Sequence, residues 1–321
     1  MLMEAREDGF VLKKQHMTLV SNDLSGPVRL CFRKSPSALR TLLQAIVLQR
    51  HIYGPGERLS AIEVTGSGIQ INRKHLAQFN RIRGEQRSSE VSLLYPFAIV
   101  YPYILRLLSH SVIPLSIFRS LNTRNQVTIH RNMDIRIPLD VKSRLSDYRV
   151  IENGIEVDII SSVFQDNAIV WENLSTYYYR GKYGPVDDSF RPPQPEPVQN
   201  GRLASPFCIE AKDGFRFARL TGDTNGIHYS SFYARMLGFK GAFAQPVRVV
   251  SRCLQHMPKP DLETPARLVL FYKGPVYYNH KLTLMHTCHD KTFQFNLYLE
   301  DDERPCICGW YQDGVPPVTM C

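Results

Sequence analysis

Two stretches of this chain are echoed later in it, and that echo limits the architecture more than any single segment does. Phe79-Asn80-Arg81-Ile82-Arg83-Gly84-Glu85 matches Phe217-Ala218-Arg219-Leu220-Thr221-Gly222-Asp223, and Ala98-Ile99-Val100-Tyr101-Pro102 matches Ala242-Phe243-Ala244-Gln245-Pro246. Paired matches in the same order imply one supersecondary unit laid down twice. Between the copies lies segment 181–201, which carries Pro185, Pro192, Pro193, Pro195 and Pro197 and has no apolar periodicity. It reads as a stiff, extended linker. A chain of 321 residues has room for two ordinary domains. The expected division is therefore 1–180, a linker over 181–201, and 202–321.

The order of elements repeats as well. After the linker, the patterns predict a strand over 207–212, a helical stretch around Phe215, Phe217 and Leu220, and a loop over 221–228. A helix over 230–237 and an apolar helix over 246–256 follow, then β-rich runs over 266–272, 281–288, 292–299 and 305–311. The first half predicts a strand over 62–71, a helix over 72–83 and an apolar helix over 96–108, then β-rich runs over 125–137, 144–151, 155–164 and 169–179. Each half thus reads as one apolar helix followed by an antiparallel sheet that curls around it. The fold class is α+β, with two such units packed side by side as a pseudo-dimer within one chain or in a homodimer.

Composition narrows the function. Lys and Arg total 39 against 30 Asp and Glu, a net charge of +9, so acidic partners such as phosphates or an acidic carrier protein are favoured. The basic residues are scattered among apolar stretches and form no nucleic-acid reading motif. Segment 96–108 is too short and too interrupted to cross a bilayer. The start, MLMEAREDGF, has no apolar core of signal-peptide length. Seven cysteines, an odd number, suit a reducing compartment. The expectation is a cytoplasmic protein with no membrane or nucleic-acid partner.

The chemistry concentrates in Phe217-Ala218-Arg219-Leu220-Thr221-Gly222-Asp223-Thr224-Asn225-Gly226-Ile227-His228, followed by Gly238-Phe239-Lys240-Gly241-Ala242-Phe243-Ala244. Asp-x-Asn-Gly by itself is turn chemistry. With His228 and the Gly-Phe segment after it, the stretch resembles the MaoC-like family of (R)-specific enoyl-thioester hydratases and dehydratases, whose members carry Ser-Gly-Asp-x-Asn-Pro-[Ile/Leu]-His. The resemblance covers most of the second half and extends more weakly to the first, as in the double-hotdog acyl dehydratases. It implies a double hotdog, in which each sheet wraps a long central helix. It also implies interconversion of 3-hydroxyacyl and trans-2-enoyl thioesters of coenzyme A or an acyl carrier protein, without cofactor or metal. Adding water across a conjugated double bond needs a group that takes a proton from water and a donor to the α-carbon. A carboxylate and an imidazole sharing one water meet both needs. By resemblance Asp223 and His228 take these roles, with Asn225 shaping the loop, and Asn225, Gly226, Gln245, Pro246 and Val247 are expected to bind the substrate.

The first half departs from this pattern. Glu85 stands where Asp223 stands, but 13 positions separate it from Ala98 whereas 19 separate Asp223 from Ala242, and residues 86–95 contain no histidine. That half is expected to lack the pair, to shape the acyl pocket and to supply a pairing surface. The second half departs too. Where the family has Ala-His-Gly at the entrance to its central helix, with the glycine N–H directed at the thioester oxygen, this chain has Ala244-Gln245-Pro246. Proline has no N–H. Pro246 and Pro102 both read as helix starts, a position proline favours. That leaves a slower hydratase using another donor, such as the Val247 N–H or the Gln245 side-chain amide, or a hydratase-like enzyme with altered chemistry. The alternative is a non-catalytic thioester-binding or assembly subunit with a degenerate site.

Two further groupings stand out. Arg248 and Arg252, four apart on the central helix, are candidates to meet phosphates of the carrier, or else surface or ion-paired residues. His286, Cys288, His289, Cys306 and Cys308 alternate on strands but lack a metal-ligand spacing, and read as buried sheet cysteines. No metal is expected.

Overall fold

The structure is a computed structural model and describes residues 18–19, 26–47, 53–54, 56–84, 91–191, 193–195, 198–258, 264–300 and 302–315. Glu85, used above to compare the halves, lies outside the described residues. The strands are β1 (Thr18–Leu19), β2 (Val28–Phe32), β3 (Ile62–Ile69), β4 (Leu121–Ile129), β5 (Leu139–Ile151), β6 (Gly154–Gln165), β7 (Ala168–Arg180), β8 (Arg202–Leu203), β9 (Ala266–Tyr272), β10 (Leu282–His289), β11 (Thr292–Leu299) and β12 (Ile307–Asp313). The helices are α1 (Ala38–Val47), α2 (Arg73–Ile82), α3 (Tyr95–Leu108), α4 (Gly214–Thr221), α5 (Ser231–Met236) and α6 (Pro246–Cys253).

All the strands join one sheet in the order β1-β2-β3-β5-β6-β7-β4-β9-β12-β11-β10-β8. The order is nearly a mirror image about β4 and β9. Each flanks its own half's hairpins, and the two pair antiparallel from Arg124↔Phe271 to Ile129↔Ala266. Hydrogen bonds therefore run unbroken from one half to the other. β2 runs parallel to β3, while the remaining pairs are antiparallel.

Each half wraps its sheet around one helix. Apart from Arg106 in its last turn, α3 is apolar nearly all round, which fits a helix enclosed by a curved sheet, and Val100, Tyr103, Leu107 and Leu108 are fully buried. Gly66 of β3 marks the close approach, since a Cβ there would lie 2.2 Å from the Tyr103 hydroxyl. α6 is shorter, and a 3-10 turn over Leu254–His256 prolongs it. Val249, Val250 and Cys253 on it are buried in the core.

Some expectations need correction. Pro246 does start α6, but Pro102 does not start α3: that helix begins at Tyr95, with Pro96 in its first turn and Pro102 inside it. α3 has enough apolar burial on both sides of Pro102 to carry the lost hydrogen bond. The strand expected over 207–212 shrinks to one bridge, Phe207↔Leu282, because 211–213 winds into a 3-10 turn that leads into α4. β4 ends at Ile129, since 134–137 closes a turn in which Ile137 N–H bonds to Asp134 O. β2 and α1 were not anticipated.

The segment after β7 lies against the sheet. The Asp187 N–H bonds to Val150 O at 2.9 Å, and the Arg149 guanidinium sits 4.1 Å from the Phe190 ring centroid. Arg149 is itself buried, paired with Glu156 at its Nη2 and with Asp158 at its Nη1, 2.7 Å away. Pro193 and Pro195 then border a groove with Val269, Phe271 and Trp310 of the second half.

Candidate active site

The loop after α4 is built by short-range rules. Gly222 caps α4 in the left-handed region at φ +80°, which favours glycine. The Asp223 N–H then bonds back to Thr221 Oγ1 at 3.3 Å. Asn225 caps a single 3-10 turn over Gly226–His228 by accepting from the Ile227 N–H at 3.3 Å. The turn swings His228 back, so that its Nε2 lies 3.5 Å from Asp223 Oδ2. The imidazole is almost wholly buried and the carboxylate largely so, with side-chain exposures of 6% and 18%.

His228 is fixed from two sides. Its Nδ1 lies 3.0 Å from the Phe243 carbonyl oxygen. A carbonyl can only accept, so Nδ1 carries the proton and Nε2 is the nitrogen turned toward Asp223. The His228 carbonyl accepts from Tyr278 Oη at 2.8 Å. Tyr278 also bonds to Arg248, and burial is the main reason its phenol is pushed up to about 12.

The first half closes the other side. Tyr101 of α3 donates from its hydroxyl to Asp223 Oδ1 at 3.0 Å. Burial first, and then the Asp223 charge, raise the Tyr101 phenol far above its ordinary value, so it stays a donor. A cavity enclosing about 830 Å³, part of it open to solvent, lies between the halves. Its lining includes Asp223, Asn225, His228, Gln245, Pro246 and Val247 from the second half. Phe97, Tyr101, Ile104, Asn122 and Tyr177 face them from the first half. Asn122 and Asn125 bond to each other at 3.1 Å, and Ser175 Oγ donates to Asn125 Oδ1 at 2.8 Å, so this polar floor is satisfied internally.

Gly226, Arg248 and Arg252 do not border that cavity. Gly226 packs against the Tyr233 ring, which would lie 2.9 Å from a Cβ there. The Arg248 side chain is 6% exposed, and its Nη2 lies 3.9 Å from Asp213 Oδ2. Arg252 sits over the Phe207 ring and near Gly84 of the first half. Gln245 is 1% exposed; its Nε2 donates to Gly214 O at 3.0 Å, and its Oε1 is buried without a hydrogen-bond partner. Among the described residues, no three His, Cys, Asp or Glu side chains are grouped to hold a metal, and no helix is long and apolar enough to cross a membrane.

No family model matches the chain. Over 209 residues it is 25% identical to 3-hydroxyacyl-thioester dehydratase X of Mycobacterium tuberculosis, spanning 65% of this chain and 74% of that protein. The crystal structure of HtdX from the same organism superimposes with a TM-score of 0.68 at 20% identity, covering 78% of this chain and 99% of the other. A MaoC-like dehydratase from Phytophthora capsici gives 0.60 at 15%, covering 79% and 96%. A Mycobacterium tuberculosis protein described as a double hotdog gives 0.53 at 9%, covering 84% and 97%. The chain has the double hotdog fold of the MaoC-like dehydratases. In this double hotdog, the cavity at the junction of the units holds the Asp223–His228 pair on one wall and Tyr101 on the other. Sequence reasoning assigned the first unit a shaping role and missed Tyr101. The signal was present, because the paired matches set Tyr101 against Gln245, which borders the same cavity.

Proposed function

We propose that this double hotdog is an acyl-thioester dehydratase and hydratase that interconverts 3-hydroxyacyl and trans-2-enoyl thioesters carried by coenzyme A or an acyl carrier protein. The observation that carries the reading is the 3.5 Å approach of Asp223 Oδ2 to His228 Nε2 on the wall of a largely apolar cavity. Both facing atoms are acceptors when the imidazole is neutral, so a water placed between them donates one hydrogen to each. As the water oxygen bonds to the β-carbon, Nε2 takes one proton, and the carboxylate steadies the imidazolium that results. The same proton then passes to the α-carbon, which gives the 3-hydroxyacyl thioester. Dehydration runs these steps backwards.

Negative charge gathers on the thioester oxygen during this step and calls for a donor. Pro246 offers none. Val247, next along α6, lies in the first helical turn, where N–H groups have no intrahelical acceptor, and it borders the cavity. We assign the oxygen to its N–H. We also read 1–180 as the unit without an acid/base pair, 181–201 as the linker and 202–321 as the catalytic unit. Six cysteines without disulfide partners among the described residues support a cytoplasmic setting.

The test is a hydration assay with a short trans-2-enoyl-CoA, read as loss of the conjugated absorbance. Turnover by the wild-type protein that disappears in Asp223→Asn supports the reading. Tight thioester binding without turnover supports the non-catalytic alternative that Pro246 suggests.

A further inference from the structure

We propose that Tyr101 is a positioning residue for the acid/base pair, so that the unit without the pair supplies the hydrogen bond that aims Asp223 at His228. The proposal rests on the dehydratase reading given above. It is carried by the division of labour on one carboxylate. Oδ1 accepts from Tyr101 at 3.0 Å, while Oδ2 faces His228 Nε2 at 3.5 Å. An aspartate with two free torsions can turn its oxygens away from a partner 3.5 Å off. A fixed donor on the other oxygen removes that freedom and keeps the reacting geometry ready beforehand.

Two further contacts show that the approach of α3 is built into the loop. Gly222, immediately before Asp223, sits so close to α3 that a Cβ there would lie 3.4 Å from Pro102 Cγ and 3.7 Å from Tyr101 Cδ1. His75 of α2 meets the Leu220 carbonyl at 2.7 Å, which anchors the end of α4 to the first unit two residues earlier. The first unit therefore holds the catalytic loop by backbone packing as well as by the phenol.

The titratable groups around Asp223 are His228 on its own loop, Tyr229 and Tyr278 of the second unit, and Tyr101 and Tyr177 of the first. Burial raises all four phenols, so they remain neutral over an ordinary assay range. Removing the Tyr101 hydroxyl therefore takes away only the hydrogen bond that fixes the Asp223 carboxylate and changes no charge around it.

The experiment compares Tyr101→Phe with Tyr103→Phe in the full chain. Tyr103 lies on the same helix and is buried, but it faces β3 and Ser35 and stays clear of the cavity. Tyr101→Phe is expected to lower kcat by about tenfold, the size of a hydrogen bond to a charged group, and to leave KM within about twofold. Tyr103→Phe is expected to leave kcat and KM unchanged. The proposal is overturned if Tyr101→Phe keeps wild-type kcat, or raises KM as much as it lowers kcat. It is equally overturned if both variants lose kcat alike, which would mean general loosening of α3. A wild-type protein that hydrates no enoyl thioester overturns the dehydratase reading itself, and the proposal with it.

Discussion

His228 Nδ1 lies 3.0 Å from the carbonyl oxygen of Phe243, a residue 15 positions further along the chain. Phe243 also stacks edge-on against the imidazole, with ring centroids 5.2 Å apart. One residue thus sets both the tautomer and the plane of the ring, and leaves Nε2 available for proton transfer.

That arrangement makes the pair sensitive to either partner. His228→Ala and Asp223→Asn should each lower kcat for an enoyl thioester by about 10²–10⁴-fold, the range for a positioned general acid or base. Near-UV circular dichroism should show the fold retained. Wild-type rates in both variants would remove the pair from the mechanism.

Pro246→Gly tests which group meets the thioester oxygen. If the Val247 N–H already serves, the new N–H at 246 should change kcat by less than about threefold, because a lost or gained oxyanion donor moves rates by about 10²–10³. Thermal stability should fall, since glycine frees the unfolded backbone and starts helices less well than proline. A rise of kcat by two orders of magnitude would instead show that the site lacks a donor.

Gly222→Ala places a Cβ at φ +80°, 3.2 Å from Ala38 Cβ of α1. The left-handed backbone alone costs about 1–2 kcal/mol for a residue with a side chain. A lower urea midpoint with an unchanged m-value is expected, together with a loss of kcat as Asp223 is displaced. A variant as stable as wild type would show that the loop can relax without cost.

His130 offers a test of stability against pH. Burial lowers its pKa although Glu172 opposes the shift, and its Nε2 is buried without a hydrogen-bond partner. The folded state therefore resists protonation more than the unfolded chain does. The associated stability is complete above the unfolded value of about 6.5 and is lost as pH falls below it. Urea melts at pH 7.5 and 5.5 should show this decline, and His130→Gln should reduce it. An equal decline in the variant would move the effect to another group.

The geometry of the Asp223–His228 loop was legible because it is local. Asp223, Asn225 and His228 fall within six residues, and a glycine-capped helix end plus an Asn-capped turn determine how they face one another. The apolar helices and the paired β-runs were legible for the same reason, since their periodicity lies within each segment. The Tyr101–Asp223 contact spans 122 positions: the repeat sets Tyr101 against Gln245 of the same cavity, but no local pattern says which group so far away the phenol will meet. Pro102 misled because proline at a helix start and proline inside a well-buried helix look alike in sequence. The spacing of Arg248 and Arg252 places them on one helix face but says nothing of Asp213, Tyr278 or Phe207, which approach that face from other segments.

The pairing of β4 with β9 gives the molecule a property that two separate subunits would lack. A site shared between chains empties when they dissociate, so its activity per molecule falls on dilution. Here both walls of the cavity belong to one polypeptide, so each unit stays at a high effective concentration for the other even while the seam opens transiently. For the proposed hydratase activity, the rate per molecule should therefore hold constant down to the lowest concentration an assay can follow, because neither wall can leave the other.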